Sequence, residues 1–117
     1  MPAAPALLCL STCPDDATAR RIAQALVEEG LAACVNVLPA VHSVYRWQGR
    51  VERADEVLLL AKTTPQAFAA LRDGLVALHP YDLPEVVAVD ITDGLPAYLA
   101  WIASQAGPAA ARSLDPA

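Results

Sequence analysis

The chain has 117 residues, of which 56% are hydrophobic, and its eight basic and thirteen acidic side chains give a net charge of −5. This length predicts a single domain with one small core, and charged residues interrupt every apolar run before it reaches the ~18 residues that a membrane span needs. The basic side chains are scattered and form no stripe that could neutralise a run of phosphates, which argues against nucleic acid as a partner.

The N-terminal segment and the cysteines bear on the location of the protein. Residues 1–6 contain no basic side chain, so a secretory signal peptide is not expected. Cys9 and Cys13 on one strand would lie roughly 13 Å apart at ~3.3 Å per residue, which is too far for a disulfide. Reduced thiols are typical of the cytoplasm, and we predict that location.

The first two elements are predicted to be a strand and a helix. Residues 7–12 form a short apolar run that is typical of a buried strand. Pro14 is predicted as the first residue of a helix over residues 14–29, because proline is preferred at that position. Gly30 supplies the stop at its end. The apolar positions that repeat with helical spacing are Ile22, Ala23, Leu26 and Val27.

A long hairpin is predicted in the middle of the chain. Residues 33–47 alternate with a period of two, which indicates a strand. Pro39 interrupts this strand, because proline cannot donate a ladder hydrogen bond, and so predicts a bulge, a bend or an edge. Gln48-Gly49 predicts a turn, after which residues 50–63 return as the antiparallel partner. Both arms are longer than a usual strand.

The remaining elements are a helix, a short strand and a final helix. Thr64 is the predicted N-cap of the second helix, and Pro80 prevents its continuation. Residues 85–91, EVVAVDI, predict a short β-branched strand, and Pro96 begins the last helix. The predicted apolar stripe of the second helix consists of Phe68, Leu71, Leu75 and Leu78.

The order of elements is β-α-β-β-α-β with an additional helix at the end. It predicts a ferredoxin-like α+β fold, in which a four-stranded antiparallel sheet carries helices on one face and a long hairpin joins the second and third strands. We expect one domain over residues 7–106, with flexible segments at residues 1–6 and 107–117. The open sheet face and the long hairpin need cover, which a closed homo-oligomer would provide.

Four motifs occur together between residues 7 and 104. They are AACVNVLP at 32–39, the Tyr-x-Trp-x-Gly hairpin that ends at Gly49, the Lys-Thr end of the third strand at Lys62, and HPYxxPE at 79–85. In this combination the chain resembles the CutA family, the divalent-cation tolerance proteins. The resemblance implies a homotrimer similar in build to the PII signalling proteins, and a role in tolerance to copper and other divalent metal ions. It implies no catalytic reaction, so we expect that the protein is not an enzyme.

The segment HPYDLPE has two interpretations. As a turn, it places His79 at a helix C-terminus, where Pro80 ends the helix. As a metal site, it offers the imidazole of His79 together with oxygen ligands from Asp82 or Glu85 to copper or zinc. One histidine and one carboxylate are too few ligands for tight binding, so further ligands would come from a neighbouring segment or subunit.

The cysteines differ in their expected roles. Cys34 is the thiol that we nominate as a metal ligand, because it begins the long strand within the AAC motif, although a small buried hydrophobe is the alternative role. Cys9 is predicted to lie in the core. Cys13, just before Pro14, is predicted to be the more exposed thiol at a helix N-terminus, where the pKa of a thiol tends to fall.

A second group of residues suggests a ligand cleft. Lys62 is the only lysine and ends an apolar strand, where its charge needs exposure or a partner such as Glu56, Glu85 or an anionic ligand. Aromatic side chains could line a cleft between subunits, or could simply form an oligomer interface, which is the interpretation that we favour. These aromatic residues are Tyr45, Trp47, Tyr81 and Trp101.

Two functional hypotheses follow. The preferred one is a cytoplasmic, non-enzymatic homotrimer of divalent metal-ion tolerance, which binds Cu or Zn weakly at inter-subunit positions or responds to metal indirectly, with no cofactor required. The alternative is a PII-like signalling module that holds a small anionic ligand in inter-subunit clefts against Lys62 and an arginine. The sequence contains no Gly-rich phosphate loop, which argues against the alternative.

Overall fold

The computed structural model describes residues 4–107. In chain order its elements are β1 (Ala6–Cys13), α1 (Asp16–Glu28), β2 (Cys34–Trp47), β3 (Arg50–Thr63), α2 (Pro65–Leu78), β4 (Val87–Ile91) and α3 (Pro96–Gln105). The four strands form one sheet in the order β2-β3-β1-β4, and every neighbouring pair is antiparallel. This arrangement confirms the predicted ferredoxin-like α+β fold with its long β2-β3 hairpin.

The segments predicted to be flexible, residues 1–6 and 107–117, lie largely outside the described residues. Within the described part, Ala6 is already the first residue of β1 and pairs with Ile91. The amide of Gly107 donates a 2.7 Å hydrogen bond to the carbonyl oxygen of Gly30. Ala6 and Gly107, which lie just outside the predicted domain of residues 7–106, therefore both form backbone hydrogen bonds with it.

The start of α1 differs from the prediction. The carboxylate of Asp15 accepts a 2.8 Å hydrogen bond from the backbone N–H of Thr18, which makes Asp15 the N-cap and holds the pKa of its carboxyl below the usual value. Pro14 therefore lies before the cap rather than in the first helical turn. Ile22 and the other apolar positions are buried as predicted, except Val27, which is exposed.

The turn of the hairpin is as predicted. Gln48 and Gly49 have φ angles of 49° and 80°, and positive values at both central residues are typical of the two-residue turn that matches the twist of the flanking strands. Residues 50–56 of β3 pair only with β2 because β1 ends at Cys13, which pairs with Val57. The hairpin thus extends beyond the rest of the sheet.

The predicted fault at Pro39 is a register shift in the β2-β3 pairing. Leu38 pairs with Leu58 and Val41 pairs with Glu56, so the two residues between them have no partner in the ladder. Ala40 takes a φ angle of 63°, which is uncommon for a residue with a Cβ atom. The bulge turns the outer half of β2 relative to the inner half.

The main core lies between the sheet and helices α1 and α2. Because side chains alternate along a strand, β1 and β3 bury every second residue against these helices. α2 contributes Leu71 and Leu75, whereas Leu78, the last helical residue, is exposed, contrary to the predicted stripe. The largest apolar core side chains are those of Ile22, Leu26, Leu59, Leu71 and Leu75.

α3 packs on the opposite face of the sheet. Its buried residues Leu99 and Ile102 form a small second core with Ala6 and Ala33. The rest of that face carries apolar side chains that are half-buried or exposed. We call this surface the open-face patch, and its members are Leu8, Leu10, Leu38, Leu58, Leu60, Val87 and Val89.

Candidate functional site

A cleft with a volume of about 570 Å³ lies between the projecting half of the hairpin and the segment that follows α2. Its lining residues are Thr12, Ser43, Val44, Tyr45, Trp47, Glu56, Tyr81, Asp82, Leu83 and Glu85. Six of the predicted site residues therefore meet in one place. These six are Tyr45, Trp47, Glu56, Tyr81, Asp82 and Glu85.

His79 fixes the wall of the cleft that follows α2. Its Nε2 atom donates a 2.8 Å hydrogen bond to the carbonyl oxygen of Thr12, and its Nδ1 atom accepts a 3.1 Å hydrogen bond from the backbone N–H of Tyr81. The His79 and Tyr81 rings also contact each other, with their centroids 4.7 Å apart. The buried imidazole thus joins the end of β1 to the start of the cleft segment.

Tyr81 and Glu56 connect the two walls of the cleft. The Tyr81 hydroxyl donates a 2.8 Å hydrogen bond to Oε2 of Glu56, a residue that is only 8% exposed. Burial, followed by the hydrogen bond and the negative charge of Glu56, raises the pKa of Tyr81 well above its usual value. Tyr81 therefore remains a hydrogen-bond donor to this carboxylate at neutral pH.

The cleft is acidic. Glu56, Asp82 and Glu85 line it, and among the described residues that line it none is Lys, Arg or His. Clefts that carry charges of one sign concentrate ions of the opposite sign. The lining therefore favours cations and disfavours anions.

The structure does not bring the four predicted metal ligands together. Asp82 and Glu85 line the cleft, but both ring nitrogens of His79 are already used in hydrogen bonds to backbone groups. Cys34 pairs with Lys62 of β3, whereas Thr12 of the cleft pairs with Leu58. Lys62 and Leu58 are four positions apart, so at ~3.3 Å per residue Cys34 lies roughly 13 Å from the Thr12 end of the cleft. Within residues 4–107 no three His, Cys, Asp or Glu side chains are placed to hold one metal ion.

Lys62 and Trp101, two predicted cleft residues, lie elsewhere. The Lys62 ammonium group donates a 3.0 Å hydrogen bond to Oδ1 of Asn36 and lies 5.6 Å from the centroid of the Tyr98 ring. Trp101 packs against Tyr98 on α3, with the ring centroids 5.4 Å apart. Glu56 and Glu85, the predicted partners of Lys62, belong to the cleft instead. Lys62 lies six residues further along β3 than Glu56, which is about 20 Å at ~3.3 Å per residue.

The prediction for Cys13 is wrong. Its thiol is fully buried rather than exposed. Burial, together with the negative charges of Asp15 and Glu56, raises the pKa of Cys13 to about 11 instead of lowering it. Cys9 lies in the core as predicted, and burial raises its pKa to about 11 as well. Cys34 keeps partial exposure at the start of β2.

Four lining residues were not predicted from the sequence: Thr12, Ser43, Val44 and Leu83. Ser43 shares the alternation of Tyr45 and Trp47 along β2, and this period of two is the signal that could have identified it. Leu83 lies within HPYDLPE, but its side chain has no charged or polar group that would indicate a binding role.

No helix among residues 4–107 is both long enough and apolar enough to cross a membrane.

Comparison with known proteins identifies the family. The family model described as CutA1 divalent ion tolerance protein matches residues 7–105. Divalent-cation tolerance protein CutA of Thermus thermophilus is 52% identical over 98 residues, which cover 84% of this chain and 95% of that protein. Protein CutA of Mus musculus is 43% identical over 91 residues, but this match spans only 51% of that longer protein.

Solved structures agree with this assignment. The divalent cation tolerance protein of Thermus thermophilus superposes with a TM-score of 0.86 at 50% identity, and the match covers 87% of this chain and 99% of that one. CutA1 from Oryza sativa superposes with a TM-score of 0.87 at 37% identity, covering 91% of this chain and 97% of that one. The chain therefore belongs to the CutA1 divalent ion tolerance protein family.

Proposed function

We propose that this protein acts in tolerance to divalent metal ions as a non-enzymatic homotrimer that binds copper or zinc weakly. The observation that carries the proposal is the acidic cleft, whose described lining includes Glu56, Asp82 and Glu85 and no basic residue. The names of the relatives, which refer to divalent-cation tolerance, support the same role.

The donor set explains why binding should be weak. The cleft offers carboxylate oxygens, whereas copper and zinc prefer imidazole and thiolate ligands. The ring nitrogens of His79 are occupied, and Cys34 lies at the other end of the sheet. Tighter binding would require a further ligand from a neighbouring subunit.

Two features support the homotrimer. The open-face patch leaves apolar side chains on one side of the sheet, including Val87 and Val89, which are 50% and 52% exposed, and exposed apolar surface of this kind is typical of an interface. β2 and β4 are the edges of the sheet, and pairing the β2 edge of one copy with the β4 edge of the next is a heterologous contact, which can close into a ring.

The PII-like alternative receives less support from the geometry. It requires Lys62 beside the cleft aromatics, but Lys62 contacts Asn36 and Tyr98 instead. A small anionic ligand would also be repelled by the carboxylates of the cleft.

The proposed location is the cytoplasm, because the free thiols of Cys9, Cys13 and Cys34 suit a reducing compartment.

Calorimetric titration with Cu(II) and Zn(II) tests the proposal. We expect saturable uptake by the wild-type protein and binding weakened by at least about tenfold in Glu56→Gln, since charged ligands dominate such a site. Glu28→Gln, which removes an exposed carboxylate of α1, is the matched control and should bind as the wild type does. Uptake no greater than that of an unrelated acidic protein would contradict direct metal binding.

A further inference from the structure

The walls of the cleft have a chemistry that metal binding does not use. Tyr45, Trp47 and Tyr81 line it together with the three carboxylates. Each aromatic side chain keeps about two-fifths of its surface exposed. Three aromatic rings beside a carboxylate are the usual environment of an organic cation, since the negative face of each ring attracts the charge and its apolar surface covers the alkyl groups.

We propose that the cleft binds an organic ammonium ion of about the size of choline, with its charge against Glu56 and its alkyl groups against Tyr45, Trp47 and Tyr81. The proposal concerns the same cleft as the proposed function but does not depend on metal binding. A cavity of about 570 Å³ lies within the range of small-molecule sites and is large enough for such a ligand.

Glu56 supplies the strongest argument. Taken as a whole residue, Glu56 is only 8% exposed, and it lines the cleft. Among residues 4–107 it forms no ion pair, and its only side-chain hydrogen bond comes from the Tyr81 hydroxyl. Its second oxygen, Oε1, is not among the fully buried polar atoms that lack a partner in the described residues, so it stays open to the cleft. A confined carboxylate without a counter-charge is less well stabilised than one that has a cation beside it. A cation in the cleft would supply the missing counter-charge at Oε1.

The ligand class follows from comparing a metal ion with an organic cation. A metal ion needs several donor atoms at fixed short distances; the described residues contain no group of three suitable side chains placed to supply them, so within one copy of the chain a metal ion could bind only weakly. An organic ammonium ion needs only a nearby negative charge and apolar walls. Asp82 and Glu85 line the same cleft and would attract the cation to it from solution.

The Thr12 and Ser43 side chains add small polar groups to the same lining. Their hydroxyls can accept or donate hydrogen bonds, so a hydroxyl-bearing ammonium ion such as choline suits the cleft better than a fully apolar one. This makes choline the natural first probe.

The test compares choline with its uncharged isostere 3,3-dimethylbutan-1-ol, which has the same shape without the charge. Trp47 is one of two tryptophans and the other, Trp101, lies outside the cleft. In a Trp101→Phe background the fluorescence therefore reports Trp47 alone. Titrations of the assembled protein contain EDTA, so that metal ions cannot contribute, and calorimetry gives an independent affinity.

We expect saturable binding of choline that is at least about tenfold tighter than that of the isostere, because both the ring faces and Glu56 act on the charge. Glu56→Gln keeps an acceptor for the Tyr81 hydroxyl and should weaken choline binding by about tenfold, and Trp47→Leu should weaken it by several-fold. Glu28→Gln serves again as the control and should leave the affinity unchanged.

Two results would overturn the proposal. Equal binding of choline and the isostere would mean that the cleft selects apolar shape rather than charge, and absence of choline binding would mean that the cleft is not such a site. If Glu56→Gln fails to fold, the comparison of the two ligands on the Trp101→Phe protein still decides. If the wild-type protein binds choline but takes up no metal ion, only the proposed function is contradicted. If it takes up metal ions but does not bind choline, only this inference is contradicted.

Discussion

Nε2 of His79 donates a 2.8 Å hydrogen bond to the carbonyl oxygen of Thr12, and this contact joins the end of α2 to the end of β1. Nδ1 of the same ring accepts the backbone N–H of Tyr81, whose hydroxyl in turn binds Glu56. HPYDLPE is therefore more than a turn. His79 positions the segment, and the residues after it supply one wall of the cleft.

Replacement of His79 should reduce stability. In His79→Ala the Thr12 carbonyl and the Tyr81 amide lose their partners in a partly buried place, and we expect the free energy of unfolding to fall by about 2 kcal/mol. Urea denaturation at a fixed protein concentration measures this. In His79→Asn the side-chain oxygen can still accept the Tyr81 amide as in an Asx-turn, so about half of the loss should be recovered.

An equal loss in His79→Ala and His79→Asn would contradict the role assigned to Nδ1. The same variants separate positioning from ligation. If His79 acts only through its hydrogen bonds, a fully folded His79→Asn protein binds Cu(II) as the wild type does, whereas a ligand role predicts strong loss of binding in both variants. Circular dichroism establishes the folded fraction before each titration.

Sequence reasoning predicted the elements whose causes are local. The positive φ angles that Gln48-Gly49 permits and the missing donor of Pro39 act within a few residues, and the turn and the bulge are where they were expected. The error for Cys13 has the opposite origin. Its burial depends on packing between β1, α1 and β3, which no local pattern reveals.

The site was predicted in part for the same reason. Tyr81 and Glu56 are 25 positions apart, and only the fold shows that they meet. Glu56 was predicted as a partner for the charge of Lys62, but the two residues are six positions apart on β3, about 20 Å at ~3.3 Å per residue, and Lys62 contacts Tyr98 of α3 instead. The aromatic residues were selected by type, which identified three of the cleft residues and also Trp101, which lies outside the cleft.

The two buried thiols predict a loss of stability at high pH. Burial raises the pKa of Cys9 and Cys13 from 9.0 to about 11, so the unfolded chain releases these protons first. The contribution of the protonated thiols to the free energy of unfolding is complete below pH 9. It is lost as the pH rises toward 11, by up to about 3 kcal/mol for each thiol. Denaturation curves between pH 8 and 11 measure the slope.

The matched variant for this prediction is Cys13→Ala. It has lower stability at pH 8 because it leaves a small cavity, but its stability should decline less steeply with pH than that of the wild type. If stability falls equally steeply with pH in the two proteins, the Cys13 thiol does not have a higher pKa in the folded protein than in the unfolded chain, and the prediction is wrong.

The three thiols should also differ in reactivity. Only Cys34 is partly exposed, while Cys9 and Cys13 are buried and protonated at neutral pH. Because the thiolate is the reactive form, iodoacetamide at pH 8 should modify Cys34 in the native protein and all three cysteines in denaturant. Mass spectrometry of peptides identifies the sites, and rapid native labelling of Cys13 would contradict its burial.

Ala40 offers a stabilising substitution. Its φ angle of 63° is strained for a residue with a Cβ atom, whereas glycine adopts it freely. Ala40→Gly should therefore raise the free energy of unfolding by roughly 0.5 kcal/mol, after the entropy that glycine adds to the unfolded chain is subtracted. Ala54→Gly, in the regular part of β3, is the control and should be destabilising. A loss at both positions would mean that the bulge does not hold Ala40 in this conformation.

The open-face patch predicts which surface would form the proposed homotrimer. Leu60 lies at its centre, opposite Leu10, and its side chain points away from the helices. Leu60→Asp places a charge where an apolar interface would form, so the trimer should dissociate, as measured by light scattering after size exclusion. Val27→Asp places the same charge at an exposed apolar residue of α1 and should leave the assembly intact. If Leu60→Asp remains trimeric and folded, the copies assemble through another surface, and the strand edges of β2 and β4 become the place to introduce the next change.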